Sequence, residues 1–405
     1  MRCRKVFVSA LTLRFAVTPI AAQNGVGASR TQSKRDATDW SKAVVDSTIK
    51  RFPTAESLKG WGYAKSLYLY GQYLVYLRTG EKRYLDHIRE WIDLHVDENG
   101  VINRPINALD YMLPGNLCLI LYKETKQERY KLCAASIRKT FDTYPRTREG
   151  GFWHANTPSR QWQLWADGVF MGMPFLARYG KMFGDSKYTN DEATKQLLIY
   201  YRHLNNPETG LLHHAYDESG VQPWADPKTR VSAYFWCRAI GWYAMTLIEI
   251  LDLLPQNHPQ RNDLIAIVRQ LAKAFERYQD KTTGLWYQIV DKGGVDGNWL
   301  ETSSSSMYSY MMWQGVKRGY LPKQYREVAL KGYRGVLSKL SKGEDGLTNL
   351  VDICEGTNVS DLAYYFARKR HANDFHGVGA FLIMNEQLGS EAIGARPVTL
   401  NWTAD

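Results

Sequence analysis

The sequence predicts an all-α fold, a toroid of six inner helices enclosed by six outer ones. Three observations carry the prediction. Polar-faced amphipathic segments alternate with more apolar, aromatic-rich segments, six of each. A turn of Gly followed by an apolar residue recurs along the chain, and no stretch sustains the two-residue alternation of a strand.

Residues 1–22 come first: a basic start, an apolar run interrupted by Arg14, and small residues at Ala21 and Ala22. This reads as a secretory signal peptide, so the protein is expected to be secreted or periplasmic. A Gly-, Ser- and Thr-rich leader follows over 23–36, then one domain over 37–395 and a tail over 396–405. Outer helices are predicted at about 38–50, 82–95, 128–142, 190–203, 261–278 and 323–340, each with one apolar stripe. Inner helices are predicted at about 61–77, 110–123, 165–183, 234–254, 303–319 and 377–388, apolar on nearly every face as buried helices are. The Gly turns fall at Gly100, Gly151, Gly210, Gly284 and Gly346, each preceded by an acid or turn former, and suit helix C-caps or turns that need positive φ.

Composition narrows the function classes. The net charge is +11, but four basic and no acidic residues lie in 1–22, leaving 48 basic against 41 acidic side chains in the remainder. That excess of seven suits a small anionic ligand. The clustered basic stripe of a nucleic-acid binder is missing, so no nucleic acid is expected as partner. Beyond residue 22 no apolar run reaches the ~18 residues of a membrane helix, so no membrane partner is expected for the mature form. Cys118, Cys133, Cys237 and Cys354 are widely spaced and read as small buried residues without a disulfide framework or metal pair. HxxxH and HxH spacings are absent, so no metal site is expected.

If the inner helices run the same way, their N-termini meet in one basin with six positive helix ends, a setting that attracts an anion. Trp61 and Tyr63, Asp110, Trp165 and Asp167, Trp236 and Arg238, Ser303 to Ser306, and His376 would all come to that end. Asp167, set in WADGVFMGMPF, has the surroundings of a general acid. Holding an Asp protonated near pH 6 needs a rise of about two units, which burial alone or with a second carboxylate can supply. Asp110 is that second carboxylate; helix capping is the alternative role of both. Arg238, flanked by Trp236 and Trp242, could hold a carboxylate through two hydrogen bonds or pair with a structural acid. His154 and His214 are candidate donors. The four-serine run lacks a nucleophile motif and reads as a helix start.

These residues resemble the unsaturated rhamnogalacturonyl hydrolases, glycoside hydrolase family 105, from about Trp61 to Leu388. The likeness rests on WGY (61–63), LDYMLPG (109–115), PRTREGGFWH (145–154), WADGVFMGMPFLARY (165–179), TGLLHHAYDESGVQPWADP (209–227), FWCRAIGWYAMTLIEILDLLP (235–255), TTGLWYQIVDKG (282–293) and HGVGAF (376–381). It implies an (α/α)6 barrel, Asp167 as catalytic acid and Asp110 as the second active-site aspartate. It also implies Tyr63, His154, Trp165, His214, Trp236, Arg238 and Trp242 around an unsaturated sugar, with no metal or organic cofactor. Ala155 stands where many members carry Lys, LDYMLPG replaces the commoner LDDxxPG, and the segment after Gly346 is atypical. The implied reaction hydrates the double bond of a 4,5-unsaturated galacturonyl residue at the non-reducing end of a rhamnogalacturonan fragment. An unsaturated glucuronyl hydrolase acting on glycosaminoglycan-type oligosaccharides, and a non-catalytic sugar-binding toroid, are the alternatives; the sequence leaves the oligomeric state open.

Overall fold

The computed structural model describes residue 1 and residues 38–403, so the expected signal segment and leader lie outside the described residues. Twelve long helices alternate between an outer and an inner ring: α1 (Trp40–Arg51, outer), α2 (Tyr63–Thr79, inner), α3 (Lys82–Asp93), α4 (Gly115–Thr125), α5 (Glu128–Thr143), α6 (Gly168–Phe183), α7 (Ser186–Leu204), α8 (Cys237–Leu253), α9 (Arg261–Tyr278), α10 (Thr302–Lys317), α11 (Tyr325–Leu337) and α12 (Phe375–Leu388). Each inner helix packs on the next, and α12 packs back on α2 to close the ring. The sequence pattern explains the layering. In α3 the buried residues are Tyr84, His87, Ile88, Trp91 and Ile92, one stripe at helical spacing. In α12 thirteen of the fourteen residues are buried, as an inner position requires.

Two inner helices begin later than their apolar pattern suggests. Asp110 lies in a 3-10 turn, Leu109–Tyr111, and α4 starts only at Gly115. Pro114 lacks an N–H and disfavours helical backbone at the residue before it, so the helix is nucleated after it. Trp165 ends a strand, β1 (Gln163–Trp165), which pairs antiparallel with β2 (Ala215–Asp217). Three similar ribbons follow: β3 (Trp286–Tyr287) with β4 (Leu300–Glu301), β5 (Leu340–Lys342) with β6 (Thr348–Leu350), and β7 (Ile353–Cys354) with β8 (Arg370–His371). At two or three residues each, they are too short to leave an alternating signature.

The Gly turns do what their sequence suggests, with one shift. Positive φ falls at Gly100, Gly210, Gly284 and Gly346, but at Gly150 rather than Gly151. The preceding acids fold the turns by accepting from N–H groups just downstream, as Asp97 does from Asn99 and Val101. The tail does not hang free. Trp402 is buried over the Arg178 guanidinium, and Gln387 Nε2 donates to Val398 O at 2.8 Å. All four described cysteines are buried and unbridged.

Gly284 has φ +79°, and a Cβ there would stand 2.5 Å from Lys331 O on α11. Gly284→Ala should therefore lower stability by about 2 kcal/mol or more, read as a drop in the urea midpoint. An unchanged midpoint would mean that this turn does not bear on α11.

Candidate active site

Asp110 and Asp167 are brought together by two short backbone straps. The turn carrying Asp110 is tied to 154–156 by Leu109 N–H to His154 O at 3.1 Å and Asn156 N–H to Asn107 O at 2.7 Å. Asp167 follows β1, where Ala166 N–H donates to His214 O at 2.9 Å, and occupies the N-cap of α6. Its side chain makes no capping hydrogen bond, so capping is not what holds it there. Gly168 comes next because space is short: a Cβ would lie 3.1 Å from Leu109 Cδ1 and 3.3 Å from His154 Nδ1.

Neither carboxylate has an Arg or Lys within ion-pair distance among the described residues. Burial raises Asp167 to about 6, against the smaller opposing effects of its own backbone N–H, Arg160 and Arg238. Burial also raises Asp110 to about 7, and the Asp167 charge adds to it. The sequence reading made Asp110 the group that keeps Asp167 protonated; here burial leads for both, and the like-charge effect falls on Asp110. Two such groups are best described as a pair that gives up its protons in two steps. His154 Nε2 stands 3.9 Å from Asp110 Oδ1, but burial pushes His154 down to about 3, so that ring is neutral and supplies no counter-charge.

The other predicted residues surround this pair. Trp165 lies parallel to His154 at 4.5 Å between ring centroids, and the Arg160 guanidinium sits over the same indole at 4.3 Å. His214 Nδ1 hydrogen-bonds Tyr365 Oη at 2.7 Å, and its ring packs on Trp236 at 4.6 Å. Burial lowers the His214 pKa well below its ordinary value. Tyr63 Oη meets His376 Nε2 at 2.7 Å, and Asp374 engages the other nitrogen of that imidazole. Trp242 is buried beneath, against Phe170 and the edge of Tyr63. Asp110 Oδ1, Asp167 Oδ1, His154 Nδ1, His214 Nε2 and Trp236 Nε1 are buried polar atoms without a hydrogen-bond partner. Each such atom costs free energy, and five among adjoining residues mark a place prepared for a polar ligand.

Three expectations are met differently. The indoles do not offer open faces for a sugar: Trp165, Trp236 and Trp242 are 5%, 2% and 1% exposed. Arg238 is 1% exposed and is taken up by the protein. Nη1 and Nη2 donate to the carbonyls of Cys354 and Glu355, and Glu301 Oε1 stands 3.9 Å away. Nor are all six helix ends left positive. Glu301 caps α10 through Ser304 N–H, and Asp374 caps α12 through His376 N–H. The serine run is, as expected, a buried helix start.

Sequence reasoning missed Arg160, Glu301, Asp374 and Tyr365. Tyr365 and the carbonyls that engage Arg238 belong to the segment 353–371, which folds over the basin. Glu301 also accepts from Cys354 N–H at 3.0 Å, so one buried acid fixes both Arg238 and this roof. An acid two residues before the serine run was the available signal for Glu301 as a cap. A cavity of about 290 Å³ lies at the other end of the inner helices among Tyr70, Glu249, Tyr310, Gln314 and Trp402. Its acids Glu249 and Asp252 are matched by Arg178 and Arg318, which distinguishes it from the basin of unmatched carboxylates.

An (α/α)6 toroid with two buried carboxylates at one end of its inner helices has the architecture of a glycoside hydrolase. The model of Glycosyl Hydrolase Family 88 matches residues 40–388. A solved family 105 glycoside hydrolase from C. acetobutylicum ATCC 824 is similar at 38% identity and a TM-score of 0.82, over 86% of this chain and 98% of that one. The unsaturated rhamnogalacturonyl hydrolase YesR of Bacillus subtilis is 27% identical over 76% of this chain and 83% of its own. Protein Atu3128 of Agrobacterium fabrum is 30% identical over 53% of this chain and 96% of its own. The chain belongs to glycoside hydrolase family 105, the unsaturated rhamnogalacturonyl hydrolase-like branch of the family 88 group.

The raised carboxyls have a consequence for stability. A carboxyl whose folded pKa exceeds its unfolded value favours folding below the unfolded pKa, and that contribution is lost as pH rises through the folded one. Between about pH 4 and 7 the pair should therefore weaken the fold. Asp110→Asn should raise the unfolding free energy at pH 8 by on the order of 2–4 kcal/mol and leave it nearly unchanged at pH 4. Equal effects at both pH values, measured by denaturant titration, would show that Asp110 is not held protonated by the fold.

Proposed function

We propose that the protein releases the 4,5-unsaturated galacturonyl residue from the non-reducing end of rhamnogalacturonan-derived oligosaccharides by hydrating the C4=C5 bond. The observation that carries this reading is the Asp110–Asp167 pair, two carboxyls raised by burial beside unpartnered ring nitrogens of His154, His214 and Trp236. An enol ether needs a proton delivered to carbon. A carboxylic acid with a pKa near 6 holds that proton in mildly acid solution, where an ordinary Asp has lost it, and remains acidic enough to give it up.

Asp167 gives its proton to C4, and positive charge develops at C5, shared with the ring oxygen. Water then bonds to C5, returning a proton to Asp167. The resulting hemiketal loses its C5–ring oxygen bond to give a ketone at C5 and a hemiacetal at C1. That hemiacetal expels the rest of the chain as an alcohol. One water is consumed and one glycosidic bond is broken. Asp110 is the second carboxyl of the pair, and the Asp167 charge opposes its ionisation. Because the anomeric carbon is not attacked directly, carboxylate separation does not predict the stereochemical course here. The YesR relative, whose name carries the rhamnogalacturonyl substrate, supports the galacturonyl over the glucuronyl reading.

Loss of the double bond's ultraviolet absorbance provides the test. Unsaturated galacturonyl-rhamnose should be turned over well above unsaturated chondroitin disaccharide, with kcat/KM falling as pH rises through about 6. Asp167→Asn should lower kcat by about 10³-fold or more while leaving the circular dichroism spectrum and substrate binding intact. Preference for the chondroitin disaccharide would favour the glucuronyl alternative. Binding without absorbance loss in the wild-type chain would favour a non-catalytic toroid.

A further inference from the structure

The substrate class just proposed carries a carboxylate next to the reacting double bond, and a basin built around two acids must still attract it. Three cations stand nearest. Arg238 is buried and donates to Cys354 O and Glu355 O, with Glu301 beside it. Arg104 donates to Trp61 O and lies over Tyr111 at 3.6 Å, and unlike Arg160 it does not figure among the charges acting on Asp110 and Asp167. Arg160 is different. It is half-buried, lies over Trp165 at 4.3 Å, and has no ion pair among the described residues. Among the described residues its guanidinium donates from Nη2 to Asn358 Oδ1 at 2.6 Å, on the segment that roofs the basin. It is also close enough to act electrostatically on Asp110, Asp167, His154 and His214 together.

A guanidinium steadied on one side by an indole and on another by an amide oxygen keeps donors available in a fixed plane. That is the geometry in which Arg receives a carboxylate through paired hydrogen bonds. We propose that Arg160, rather than Arg238, holds the carboxylate of the unsaturated uronyl residue and sets the preference for acidic over neutral sugars. The assignment rests on the function proposed above. Trp165 takes part as the surface that positions Arg160, which accounts for an indole whose faces are taken up by protein groups. Asn358 ties the same guanidinium to the roof, so binding the carboxylate and covering the basin involve one side chain.

The experiment compares the unsaturated galacturonyl-rhamnose acid with its methyl ester, using wild type, Arg160→Gln and Arg160→Lys. For the acid, Arg160→Gln should raise KM about 10- to 100-fold with a smaller change in kcat. For the ester the two proteins should be nearly equal, so the acid-to-ester ratio of kcat/KM collapses. Arg160→Lys should restore part of the ratio, since a single charge remains without the fork. Equal losses on acid and ester, or an unchanged KM accompanied only by a displaced pH profile, would overturn the assignment and leave Arg160 acting on the carboxylate pair alone. If the wild-type chain turns over neither compound, the reading of the whole site fails, and the assignment with it.

Discussion

The structure depends on withholding water and counter-charge from two carboxyl groups. An Asp at a helix start is ordinarily stabilised by the helix's free N–H groups and gains acidity from them. At Asp167 that arrangement is declined: the side chain makes no capping bond, one of its oxygens has no partner, and burial outweighs the helix end. Asp110 reaches the same place from a 3-10 turn strapped to the His154 backbone. Such a pair costs stability at neutral pH, and the twelve-helix core is large enough to carry that cost.

Keeping counter-charge away is as much a matter of how neighbouring charges are matched as of where the acids sit. Arg238 could have quenched the pair, but Glu301 and two carbonyls of the roofing segment engage it. Glu301 itself is held by Ser303, Ser304 and Cys354. Asp374 is engaged by His376. The histidines facing the pair are neutral because burial disfavours their charged forms. The result is a basin with two undischarged acids and a cation acting on both, Arg160, that lacks a carboxylate partner among the described residues.

Much of the fold was legible because helical periodicity survives in every element. The stripe Tyr84, His87, Ile88, Trp91, Ile92 marks an outer helix, and the uninterrupted apolar composition of Val378 to Met384 marks an inner one. The starts of α4 and α6 were less legible. Pro114 moves one start, and the tertiary pairing of Trp165 with Ala215 extends backbone that a helical pattern would have continued. At the site, the convergence of Tyr63, Asp110, Asp167, Arg238 and His376 followed from parallel inner helices. What each side chain does there did not follow. Arg238 is committed by a segment more than a hundred residues downstream, and Arg160 acquires significance only because Trp165 and Asn358 fold against it. Local sequence carries no trace of either partner.

Infrared difference spectroscopy reads where the protons of the Asp110–Asp167 pair reside. The protonated-carboxyl band of the wild-type chain should be compared with that of the Asp110→Asn, Asp167→Asn double variant as pH is raised. A band present in the wild type and absent from the double variant should disappear as pH rises through about 6 to 7. Identical titrations in both proteins, with every carboxyl ionised by about pH 5, would contradict it.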